Sequence, residues 1–150
     1  MRRIVLLFGF AVMVVPIAYS QDSGFGAGIL LGEPTGLSAK AWVSRQNAVD
    51  FGLAYSFRRD GYFHLHGDYL WHFPRAIQSP ERIPLYTGIG ARLAVGKGSG
   101  VFGIRIPFGI AYWLSEAPIE FFLEIAPILD LAPATELSGN GGIGARYYFN

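Results

Sequence analysis

The chain has 150 residues, with twelve basic against eleven acidic side chains and no cysteine. A near-neutral balance without a basic run excludes nucleic acid as a partner, and the missing cysteine excludes both a lipid-anchored lipoprotein and a disulfide framework. Charged residues are only 15% of the chain, against ~25% in ordinary soluble domains, so an ordinary water-facing surface is not expected.

Residues 1–20 read as an address. Arg2 and Arg3 precede an apolar run over 4–18, and Ala18-Tyr19-Ser20 places small residues before a cleavage point. This is the three-part layout of a secretory signal peptide. The run is shorter than the ~20 residues a spanning helix needs, and Pro16 breaks it. The remainder, 21–150, has the size of one domain. No later window is apolar for long enough to form a spanning helix.

From residue 24 onward the chain alternates. Val49, Phe51, Leu53, Tyr55 and Phe57 share one parity, and Asp50, Gly52, Ala54 and Ser56 the other. Alternation at period two is the mark of a strand with two unlike faces. Turn chemistry divides the chain into eight such segments. The first covers 24–32 and ends at Glu33-Pro34-Thr35-Gly36, and the second and third cover 37–44 and 49–57. Asp60-Gly61 is a hairpin signal before the fourth, 62–73. The longest connection, 74–84, precedes a fifth at 85–95. Three more follow at 101–114, 119–131 and 141–149. Segments of this length match tilted membrane strands better than the ~5–6 residues usual in soluble sheets. The predicted fold is all-β: an eight-stranded antiparallel up-and-down transmembrane β-barrel, expected in the outer membrane.

A soluble lipocalin-like carrier would show the same period with its apolar face turned inward. The composition of the polar face separates the two. Gly26, Gly28, Gly52, Ala54, Gly88, Gly90, Ala94, Gly103, Gly109, Gly142 and Gly144 dominate it. A water-facing surface would carry far more charge, whereas a narrow eight-stranded interior needs small side chains. The opposite parity carries Phe102, Ile104, Ile106, Phe108, Ile110, Tyr112 and Leu114 on one segment alone, a face suited to lipid. Phe57, Phe63, Tyr69, Trp71, Phe73, Tyr147 and Phe149 fall near segment ends, where interfacial aromatics sit. Trp42 and Trp113 have inward parity and fill the interior unless a bulge intervenes. Pro107 and Pro127 lack a ladder donor, and each is expected to mark a bulge.

The last segment carries Gly144-Ala145-Arg146-Tyr147-Tyr148-Phe149, which resembles the C-terminal signal read by the outer-membrane assembly machinery. It departs from that pattern in having Gly142 at a position expected to be polar, and in ending on Asn150. The whole resembles the small barrels of the OmpX and OmpA-transmembrane type. Leu31-Gly32-Glu33-Pro34-Thr35-Gly36-Leu37-Ser38-Ala39-Lys40, Arg105-Ile106-Pro107-Phe108-Gly109 and Phe122-Leu123-Glu124-Ile125-Ala126-Pro127 are similar to an uncharacterised family of short outer-membrane β-barrel proteins. The resemblance implies a fold and a place. It implies contact with outer-membrane lipid and lipopolysaccharide, and no activity.

By parity the inward charges are Lys40, Asp50, Asp68, Arg92, Arg105, Glu120, Glu124, Asp130 and Arg146, four positive and five negative. Charges buried in a narrow barrel must pair, so a plug of ion pairs is expected, with Glu120 or Glu124 meeting Arg105 or Arg146. His64, His66 and Asp68 share one face of the fourth segment and are the candidate metal ligands, with polar packing as the ordinary reading. His72 continues that face. No catalytic residue is identified. A lipid A deacylase needs a serine one strand step from a lipid-facing histidine, and no serine stands there. Gly96-Lys97-Gly98-Ser99-Gly100 lacks phosphate-loop spacing, and no cofactor is expected. A structural or surface-interaction barrel is the leading expectation. The alternatives are a lipid-modifying, small-ligand or metal-handling barrel, or a periplasmic lipocalin-like carrier.

Overall fold

The computed structural model describes residues 24–56, 61–96 and 98–149. The expected leader, Phe57 and Asn150 lie outside the described residues. The strands are β1 (Phe25–Glu33), β2 (Thr35–Trp42), β3 (Asn47–Ser56), β4 (Tyr62–Phe73), β5 (Leu85–Gly96), β6 (Ser99–Arg105), β7 (Phe108–Trp113), β8 (Ile119–Ala132) and β9 (Glu136–Phe149). Neighbours pair antiparallel, and β1 pairs with β9 from Phe25↔Phe149 to Glu33↔Gly141, so the sheet closes. No edge is left to present unpaired backbone groups along the wall.

The wall has eight positions, because β6 and β7 occupy the same one. Both lie between β5 and β8, and the register is the same on either side of the gap. The interruption has a local cause. Gly88 N donates to Pro107 O at 3.2 Å, but proline has no N–H to return the bond. On the other side Ile106 N donates to Pro127 O at 3.0 Å, and Pro127 likewise cannot answer. Each proline therefore costs the ladder one donor without shifting it. The bulges expected at Pro107 and Pro127 are absent. The register shift lies instead at Phe102/Gly103, which pair with Ala132 and Asp130 and leave Leu131 as the extra residue.

The last strand is longer than its turn chemistry predicts. Ser138, Gly139 and Asn140 read as a loop, yet they pair with Ile128, Pro127 and Ala126. Partner strands override weak local preference. A lateral path from Glu33 through Gly141, Ile125, Phe108, Thr87 and Trp71 reaches Asn47, beside the residues that pair through β2 with the start of β1, a stagger of about ten residues. A stagger of that size tilts the strands by roughly 40° and keeps the interior just wide enough for side chains. The 74–84 connection lies at the end where β1 begins and β9 ends, and there Arg82 bridges to Trp113.

Candidate functional site

Parity along each strand sorts side chains between two environments. On β8, Glu120, Phe122, Glu124, Ala126, Ile128 and Asp130 are buried, while Phe121, Leu123, Ile125 and Leu129 are exposed. β3 and β4 behave alike: Asp50, Ser56, His64, His66, Asp68 and His72 are inside, and Phe51, Leu53, Phe63, Leu65 and Trp71 are outside. Ile125 is 62% exposed and Leu65 50%, whereas Lys40 and Glu120 are fully buried. The usual arrangement of a soluble protein is inverted.

The interior charges form three groups. Near the termini, Glu120 accepts from Lys40 Nζ at 3.0 Å and from Arg146 Nη1 at 2.5 Å, with Tyr148 Oη at 3.3 Å. Lys40 also donates to His72 Nε2 at 2.8 Å, and His72 Nδ1 donates to the carbonyl of Gln46 at 3.1 Å. Arg146 lies over the Phe122 ring at 3.9 Å and donates to Ser38 Oγ at 2.8 Å. In the middle, Arg105 donates to Glu124 at 3.0 Å, and Glu124 also accepts from Tyr86 Oη at 3.0 Å. Arg105 Nε stands 2.9 Å from Asp68 Oδ1, off the hydrogen-bonding direction. Toward the far end, Arg92 grips Asp130 with two bonds of 2.9 and 2.5 Å, and Ser138 joins both. At the far rim Ser56 donates to Glu33.

All eight residues of the expected ion-pair set, Lys40, Asp50, Arg92, Arg105, Glu120, Glu124, Asp130 and Arg146, are buried inside this ring. Trp113 is buried with them, and Trp42 packs on His72 and Trp113 at ring separations of 4.4 and 6.4 Å. Of the expected interfacial aromatics, Phe63, Tyr69, Trp71, Phe73, Tyr147 and Phe149 are exposed on the outer face. Tyr69–Trp71 and Tyr147–Phe149 form edge-on pairs at 5.0 and 5.2 Å.

The metal candidates are grouped differently from their sequence spacing. His64 Nε2 accepts from Asn140 at 2.9 Å. Among the described residues, the three that bring ligand atoms within 4.8 Å of one another are Asp50, His66 and Asp68. Asp50 replaces His64 because β3 pairs with β4 in the register Asp50↔Asp68. Tyr86, Tyr148, Ser38, Ser138 and Asn140 were not singled out by sequence. For Tyr86, Tyr148 and Ser38 inward parity is the available signal; Ser138 and Asn140 read as loop and offer none. A shallow groove between the β2–β3 turn and the 74–84 connection carries Arg45 and Arg75 and adjoins the first group through Gln46, whose carbonyl holds His72.

The barrel has the fold of a known surface protein. It is similar to the crystal structure of Neisserial surface protein A (NspA), with a TM-score of 0.54, 15% identity, and coverage of 84% of this chain and 94% of that one. Identity this low speaks for the fold alone. No family model matches the sequence, and no curated protein matches it.

Proposed function

We propose that this chain is a small integral outer-membrane β-barrel whose lumen is plugged by buried ion pairs, and which serves a structural or surface-interaction role without catalysis. The observation that carries the reading is the inversion of the wall. Large apolar side chains cover the outside while the charged ones lie inside, most of them in ion pairs, a distribution that suits lipid around the barrel and fails in water. Among the described residues no helix is long and apolar enough to cross a membrane; on this reading the strands are what spans it. A lipocalin-like carrier needs an apolar cavity. The burial of Lys40, Arg105, Arg146 and their carboxylate partners inside the barrel supports a plugged lumen over such a cavity.

On this reading residues 1–20 are a signal peptide removed on export, and the outer aromatics contact lipid and lipopolysaccharide at the interfaces. Tyr147 and Phe149 on β9 face outward, available to the assembly machinery before the strand closes on β1. The test is gel migration of the mature chain refolded in detergent, boiled against unboiled. A faster unboiled band that shifts on heating is expected of a closed, detergent-resistant barrel. Identical bands, with protein soluble without detergent, would overturn the membrane placement. Mass determination of the exported protein is expected to find Gln21 at its amino terminus.

A further inference from the structure

The interior carries Lys40, Arg92, Arg105 and Arg146 against Asp50, Asp68, Glu120, Glu124 and Asp130, one negative charge in surplus. The pairing pattern locates that surplus. Asp130 has Arg92 to itself, and Glu120 is matched by both Lys40 and Arg146. Arg105 is shared between Glu124 and Asp68. Among the described residues, the Lys or Arg within ion-pair distance of Asp50 is Arg146, at 3.7 Å and already bonded to Glu120, while Lys40 opposite it across β2 and β3 is turned to Glu120. Asp50 and Asp68 stand directly opposite across β3 and β4, where like charges repel. His66 Nε2 lies 3.8 Å from Asp68 Oδ2 and 4.0 Å from Asp50 Oδ1. Among the described residues, Asp50 Oδ1, both oxygens of Asp68 and His66 Nδ1 find no hydrogen-bond partner, although all three residues are more than nine-tenths buried.

We propose that Asp50, His66 and Asp68 form a binding site for a divalent first-row transition cation such as Zn²⁺ inside the barrel. Two carboxylates and one imidazole supply the oxygen and nitrogen donors such ions take, and three protein ligands leave a position for water. An imidazole in the set disfavours calcium, which takes oxygen ligands. Bonds of about 2.0–2.2 Å require the three donors to close in by less than about 1 Å. Arg105 does not block the site. Its Nε lies nearest Oδ1 of Asp68, while Oδ2 is the oxygen nearer His66 and is left for the cation. Two glycines make the space. Gly52 lies across from His66 and Gly90 across from Asp68, and a Cβ on either would collide with the side chain opposite.

The mature chain, folded with Zn²⁺ and desalted, is expected to retain about one zinc per barrel by elemental analysis. Asp50→Asn and His66→Gln should each weaken retention by about 100-fold or more, against a chromophoric chelator. His64→Gln should retain zinc, since that ring is held by Asn140. Zinc should also raise the unfolding temperature of the wild type and leave that of His66→Gln unchanged. Where a variant does not fold, the wild type loaded with Co²⁺ decides: visible absorption of a nitrogen–oxygen site is expected. Folded wild type that holds neither zinc nor cobalt would overturn the proposal. Zinc held equally by Asp50→Asn and His66→Gln would overturn it too.

Discussion

At the scale of single residues, glycine decides where the interior side chains lie. Gly26 sits across from Tyr148, Gly109 from Tyr86, Gly144 from Phe122, Gly52 from His66 and Gly90 from Asp68. In each pair a Cβ on the glycine would strike the facing side chain. The facing side chain lies over the bare backbone opposite, which is how a narrow barrel accommodates the rings of Tyr148, Tyr86, Phe122 and His66. Gly109→Val would displace Tyr86 from its bond to Glu124, and overpacking of this kind costs about 1–3 kcal/mol. A lower urea midpoint for the refolded barrel would show it. Glu120→Ala strands both Lys40 and Arg146 as buried charges, and removal of one partner from such a group costs about 3–5 kcal/mol. Its midpoint should fall further than that of Gly109→Val. The inward glycines and charges were legible from alternation alone. Which glycine serves which ring, and which carboxylate meets which cation, depended on strand register.

At the scale of elements, prolines mark where the ladder is thinnest. Pro107 and Pro127 withhold donors on opposite sides of the same wall position, and Ile106 and Pro107 are the gap between β6 and β7. Pro107→Ala restores an N–H facing the Gly88 carbonyl. The gain of about 1 kcal/mol for that bond is offset by greater freedom of the unfolded chain, so stability should change by less than about 1 kcal/mol. Hydrogen exchange should show a new protected amide at position 107 and continuous protection from β6 to β7. A large loss of stability would mean that proline packing, not the absent donor, shapes this wall. The prolines were visible in sequence as difficulties. Their consequence was misread, since a bulge and a lost donor are equally compatible with one missing N–H. The start of β9 was misread for a related reason: Ser138-Gly139-Asn140 has turn chemistry, but β8 offers a partner for each residue.

For the whole molecule, the outer face is what distinguishes a lipid environment from water. An arginine at mid-height on a lipid-facing wall costs about 2–4 kcal/mol, and about 0–1 near the interfaces. Ile125 lies midway along β8, while Val95 is next to the β5–β6 turn, and both are exposed. Ile125→Arg should therefore destabilise the barrel in lipid bilayers by about 2–4 kcal/mol, and Val95→Arg by no more than about 1. Equal, small effects at both sites would indicate a barrel surrounded by water.

Alternation, turn residues and the composition of each face determined, from sequence by itself, that the chain forms strands, that about eight of them close a ring, and which parity is apolar. These properties are local, repeated along every strand, and do not depend on which strand lies beside which. Tertiary structure alone decided that β6 and β7 share one wall position, that Arg92 belongs to Asp130 and Glu120 to Lys40 and Arg146, and that Asp50 joins His66 where His64 does not. Each of these rests on register between strands. A shift of one residue moves a side chain to the other face, and a shift of two gives it a different partner.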